Sequence, residues 1–173
     1  MPSPTMEGTG DGAGRVWFLR HSEVATEVWA DVRAHRGIMV TIEMEYEGDL
    51  HCGAVHGPSG RELATDAPVD NQGRGESFSP TDLVATALGT CMLTTMGILA
   101  RTLGIDIAGS QATVEKEMTA SPPRKIQRLG VKIRIPQAHS AENREKLERA
   151  AHTCPVARSL HPDVEIPVDF VWG

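Results

Sequence analysis

Between Leu83 and Ala100 the sequence has no charged side chain, although 23% of the chain is charged. Concentrated positive charge is also missing. Seventeen Lys and Arg stand against 23 Asp and Glu, for a net charge of −6. That balance argues against nucleic acid or an anionic membrane surface as partner, since both require clustered cations. Cysteine is scarce: Cys52, Cys91 and Cys154 are odd in number and widely spaced, which excludes a secreted disulfide framework. The opening MPSPTMEGTGDGAG lacks a basic patch followed by an apolar stretch, so no signal peptide is expected and the cytoplasm is the expected compartment. No Cys-x-x-Cys pair exists, and GRGES at 73–77 follows no strand-to-helix turn of the kind that cradles phosphate. A metal site drawn from Cys91, Cys154, His152 and His161 has no support in their spacing, so neither metal nor cofactor is expected.

What is present fits one domain. At 173 residues and 40% hydrophobic, the chain can bury a sizeable core. Residues 1–15 are rich in Gly, Pro, Ser and Thr and predict disorder. Val24, Val28 and Val32 recur behind Ser22 at helical spacing, consistent with a short amphipathic helix. Residues 1–38 therefore read as an extension and 39–173 as the domain. Val40, Ile42, Met44 and Tyr46 alternate with polar residues and predict a half-buried strand. LHCGAVH and RELATD predict two more, joined by turns at Glu47–Asp49 and GPSG to make an antiparallel meander. A loop over 67–78 follows, long enough to be functional or a plain connection.

The neutral run then has clear helix signals. Ser79 fits an N-cap, Pro80 the first helical position, Asp82 the third position of a capping box, and Gly104 the stop. Roughly 18 apolar residues can span a bilayer. Thr86, Thr90, Thr94, Thr95, Gly89 and Gly97 dilute the run, no aromatic belt flanks it, and no second such segment exists. A helix buried on all sides within a globular protein is the expectation. Beyond it, SQATVEKEMTA and KIQRLGVKIRI predict two strands, with Leu129, Val131, Ile133 and Ile135 on one face. Ser140 caps a charged helix, Pro155 starts a shorter one, and DVEIPVDFVW closes as an edge strand containing Pro167. The order is βββ-α-ββ-α-β, an α+β pattern of antiparallel sheets on a long central helix.

The three thiols read differently. Cys91, in the middle of the apolar helix, suits either a small packing residue or a nucleophile. Cys154 directly precedes Pro155 in AHTCPVARSL, at the N-cap of the short helix, where free N–H groups and the helix dipole favour a thiolate. Cys52 lies within a strand and reads as structural.

Two segments together resemble a known family. SPTDLVATALGTCM, a Ser-Pro start to a neutral helix with Cys a few turns in, is similar to the first motif of the osmotically inducible protein C and organic hydroperoxide resistance proteins (OsmC/Ohr). AAHTCPVARSL is similar to their second, and the likeness spans 39–173. The resemblance implies an intertwined homodimer with active sites at the subunit interface, Cys91 as peroxidatic thiol and Cys154 as resolving thiol. It implies no cofactor, only an organic hydroperoxide substrate and an external dithiol such as a lipoyl protein or thioredoxin. The neutral helix would then favour apolar peroxides, and Ala85, Gly89 and Gly97 would admit a second helix at close range.

Cys91 lies roughly 16 Å from the helix start, beyond reach of the helix-end field, and burial raises a thiol pKa. A cation is therefore needed. In the family an Arg held by a Glu supplies it. Here Arg74 is the candidate, with Arg61 behind it. The peroxidases carry Glu directly after the helix-opening Pro, where this chain has Thr81. Glu76 is the candidate substitute, and the departure points to the divergent OsmC-like branch. The expected chemistry is peroxide reduction through a Cys91 sulfenic acid and a Cys91–Cys154 disulfide. Two alternatives stand beside it: a redox-sensing or hydrophobic-ligand-binding dimer, and thiol transfer or hydrolysis from Cys91. No His-Asp/Glu arrangement in the sequence supports the last.

Overall fold

The computed structural model describes residues 39–173. The candidate helix around Val24, Val28 and Val32 lies outside the described residues. Strands β1 (Ile42–Gly48), β2 (His51–His56) and β3 (Arg61–Asp66) pair in order as an antiparallel sheet. The β1–β2 turn needs left-handed backbone at Gly48, Asp49 and Leu50. Only the glycine adopts such a conformation without steric cost. The alternation of β1 is present, but its apolar face is not half-buried as the pattern predicted. Ile42, Met44 and Tyr46 are all exposed, Met44 at 70%. Cross-strand pairing sets them beside Ala54 and Cys52, and Ala54 beside Leu63, so one face of the sheet is an apolar surface that no described element covers.

Helix α1 (Pro80–Leu103) begins at the predicted cap. The Asp82 N–H donates to the Ser79 side chain, and the Asp82 carboxylate accepts from the Ser79 N–H. Gly104, in the left-handed region at φ 67°, ends it. One stripe of the helix, from Ala85 through Leu88, Met92 and Met96 to Ala100, is buried. Burial on all sides is corrected, however: Thr86, Ala87, Thr90, Thr94 and Ile98 are exposed. The side-chain hydroxyls of Thr86 and Thr90 return to carbonyls one turn back, which lets a polar residue sit on a neutral helix face. The helix is long and apolar enough to cross a membrane. Its packing on a sheet and a second helix identifies it as a core helix.

That sheet contains β4 (Gln111–Met118), β5 (Ile126–Ile135) and β6 (Val168–Trp172). Leu129, Val131, Ile133 and Ile135 are buried as one face of β5. β6 departs from the antiparallel expectation and runs parallel to β5. Helices α2 (Ala141–His152) and α3 (Pro155–Ser159) intervene, and such a crossover returns the chain in its original direction. Gly89 explains the close approach of α1 to β4, because a Cβ there would lie 2.9 Å from a Val114 methyl. Gly89 therefore meets the chain's own sheet, not a second helix as expected, whereas Gly97 has open space beside it. At the other end Trp172 donates to Glu148 at 3.0 Å and receives the Arg144 guanidinium over its ring, fixing α2 to β6.

Since Ser79 is buried and its cap sets the start of α1, Ser79→Ala is expected to cost about 1–2 kcal/mol. At about 2–4 °C per kcal/mol for a domain of this size, the thermal midpoint should fall by several degrees. An unchanged midpoint in a calorimetric scan would show that α1 does not depend on its cap.

Candidate active site

Cys91 and Cys154, far apart in sequence, come together in the fold. α1 carries Cys91 half-buried at its middle, and α3 packs against α1 with Cys154 as its N-cap. The Cys154 thiol is fully buried and accepts from the Ala157 N–H at 3.4 Å. Its pKa is not lowered as the cap position suggested. Burial pushes it up, the Ala157 N–H opposes this only in part, and the neighbouring Cys91 thiol pushes it further up. Cys154 is thus held as a neutral thiol beside Cys91. Cys52 sits half-buried in β2, in the other sheet.

The two remaining candidates lie in the loop before α1 and are not paired with each other. Arg74 faces Asp49 at 3.6 Å, with both side chains largely exposed. Glu76 is turned toward His51, with 3.8 Å between Oε2 and Nε2. Among the described residues, no hydrogen bond or ion pair joins either of them, or Arg61, to a cysteine.

The residue after the helix-opening proline has a different partner. Lys116, on the inward face of β4, donates to Thr81 Oγ1 at 2.8 Å, Asp82 Oδ1 at 2.6 Å and Ser79 Oγ at 3.3 Å. Burial pushes the Asp82 carboxyl up, but the bonds from Lys116 and Ser79 outweigh it and hold it below its ordinary value. Sequence reasoning missed Lys116. The available signal was its place in the Ala112-x-Val114-x-Lys116 alternation, a cation on an otherwise apolar face. A groove of about 870 Å³ opens beside this cluster, between Phe78, Leu93 and Val114. Neither Cys91 nor Cys154 lines it. We take the thiol pair, not the groove, as the candidate chemical centre, because the groove has no thiol among its lining residues.

The family model described as OsmC-like protein matches residues 73–169, more than half of the chain. The chain belongs to the OsmC-like protein family. It is 47% identical to a protein of Psychrobacter arcticus 273-4 described as an osmotic stress induced and detoxification response protein. That match covers 79% of this chain and 98% of the other, with a TM-score of 0.74. An OsmC-like protein of Mycoplasma pneumoniae has the same fold at 16% identity, covering 78% and 96% of the two chains with a TM-score of 0.66. So does an organic hydroperoxide resistance protein OsmC of Legionella pneumophila, at 18% identity, 79% and 99% coverage and a TM-score of 0.61. No curated protein matches the chain.

The Lys116–Asp82 pair makes stability depend on pH in a defined direction. A carboxyl held below 3.8 in the folded chain contributes fully above that value and loses its contribution as pH falls through the lower folded value. Asp82→Asn should therefore lower the urea midpoint at neutral pH, and this penalty should shrink as the pH is taken below about 3.8. A penalty equal at neutral and acid pH would mean that Lys116 does not favour the charged form.

Proposed function

We propose that this chain is a thiol-dependent reductase of organic hydroperoxides, with Cys91 as the peroxidatic and Cys154 as the resolving thiol. The observation that carries the reading is the pairing of a half-buried thiol on a neutral helix with a fully buried, protonated one. The Cys91 thiolate attacks the distal peroxide oxygen. The O–O bond breaks, the alkoxide takes a proton and leaves as alcohol, and Cys91 becomes a sulfenic acid. The Cys154 sulfur then attacks the Cys91 sulfur and gives up its proton, so that water leaves and a disulfide forms. An external dithiol, such as a lipoyl protein or thioredoxin, reduces the disulfide by exchange and restores both thiols. The raised Cys154 pKa suits this order, since it keeps Cys154 protonated until a sulfenic acid on Cys91 draws its attack.

That cation is Arg74, brought to the thiol across a homodimer interface. The exposed apolar face of β1–β3 and the exposed neutral face of α1 supply the surface for such an assembly. The proposed compartment is the cytoplasm, where dithiol reductants keep the pair reduced. Thr81 and its bond to Lys116 favour a second reading, a redox sensor that oxidises once without turnover.

Steady-state consumption of cumene hydroperoxide with dithiothreitol, lipoyl protein or thioredoxin separates the two. Continuous turnover is expected with at least one dithiol; a single stoichiometric burst with every one of them would leave the sensor. Cys91→Ser should abolish consumption. Cys154→Ser should react once and stop as a sulfenic acid that dimedone captures, and Arg74→Ala should slow the first step about tenfold for each pKa unit of lost thiolate. Light scattering at micromolar concentration should give the mass of a dimer. A stable monomer would remove the route by which Arg74 reaches Cys91.

A further inference from the structure

His51, Asp66 and Glu76 converge on the face of the meander opposite the exposed apolar one. His51 opens β2 and is the register partner of Asp66, the last residue of β3. Asp66 is fully buried, and its Oδ2 accepts from the Glu76 N–H at 2.8 Å, which folds the loop back and brings the Glu76 carboxylate over His51. The remaining oxygen, Asp66 Oδ1, is buried with no hydrogen-bond partner among the described residues. It faces His51 Nε2 at 3.6 Å, and Glu76 Oε2 faces the same nitrogen at 3.8 Å. One ligand atom from each residue lies within 4.8 Å of the others.

Those separations are too long for hydrogen bonds, which close at about 2.7–3.2 Å. They are near what an ion between the groups would impose. Zinc holds nitrogen and oxygen at about 2.0–2.1 Å, which places tetrahedral ligands about 3.3–3.4 Å apart. A buried carboxylate oxygen left without a partner is otherwise costly, because its desolvation goes uncompensated. We propose that His51, Asp66 and Glu76 form a binding site for a divalent first-row metal ion of the zinc type, through His51 Nε2, Asp66 Oδ1 and a Glu76 carboxylate oxygen.

One imidazole and two carboxylates suit a borderline ion such as Zn²⁺. Three protein ligands leave a fourth position for water. Asp66 and His51 are set by the strand ladder, and the exposed Glu76 closes the remaining distance by a change of rotamer. The bound ion ties the 67–78 loop to the sheet just before Ser79, where α1 starts.

Co²⁺ titrated into the full chain under reducing conditions tests this, because its spectrum distinguishes nitrogen and oxygen ligands from thiolates. Visible d–d bands saturating at one ion per chain, without a thiolate charge-transfer band, and displaced by Zn²⁺, are expected. His51→Ala should abolish them, and Glu76→Gln should weaken binding at least tenfold. Glu76 is exposed, so its variant keeps the test decisive even if replacing His51 disturbs the sheet. No binding at millimolar Co²⁺, a spectrum dominated by thiolate charge transfer, or affinity unchanged in Glu76→Gln would each overturn the assignment.

Discussion

The contact between the buried stripe of α1 and the sheet β4–β6 fixes everything else. Gly89 lets the helix axis approach β4 as closely as a Val114 methyl allows, and Leu88, Met92 and Met96 complete the contact. Truncating one such buried side chain to Ala costs about 2–5 kcal/mol. A shift of the helix along its axis would also carry Cys91 away from Cys154. The N-terminal end resists that shift through Ser79, Asp82 and Lys116, which bind the first turn to β4. The thiol geometry is therefore a consequence of helix register.

The two thiols are chemically different because their surroundings differ. Cys154 has no contact with solvent and meets the N-terminus of a five-residue helix, whose N–H groups only partly offset the cost of burying charge. Cys91 is partly open, and between Thr86 and Ile98 the exposed face of its helix has only threonine, alanine and isoleucine. In the proposed reaction, a neutral Cys154 beside a more accessible Cys91 would limit unwanted attack by Cys154 on solvent oxidants. Under the proposed function, this neutral stretch would give an apolar peroxide, or a second copy of the chain, an approach without desolvating charge.

Much of the fold was legible because its signals were local. The capping box at Ser79–Asp82, the stop at Gly104 and the period-2 pattern of β4 and β5 each correspond to one element. The α+β class and the family followed from their order. Non-local features were not legible. The parallel pairing of β6 depends on where two helices deliver the chain, and β1 alternates perfectly yet exposes its apolar face. Local hydrophobic pattern predicts which side chains share a face, not what covers that face. At the site, the Cys-Pro cap was legible but its pKa direction was not, since burial is a tertiary property. The pairing of Arg74 with Asp49 instead of Glu76, and the meeting of His51 with Asp66, depend on register between strands and carry no sequence spacing.

The central claim is that Cys91 and Cys154 form one redox unit. Peptide mapping after one equivalent of organic hydroperoxide tests it most directly. The account predicts a Cys91–Cys154 disulfide within one chain and Cys52 recovered as a free thiol. Cys91 recovered reduced from folded protein under excess hydroperoxide would contradict it, leaving the neutral helix as packing and its cysteine as a small apolar residue.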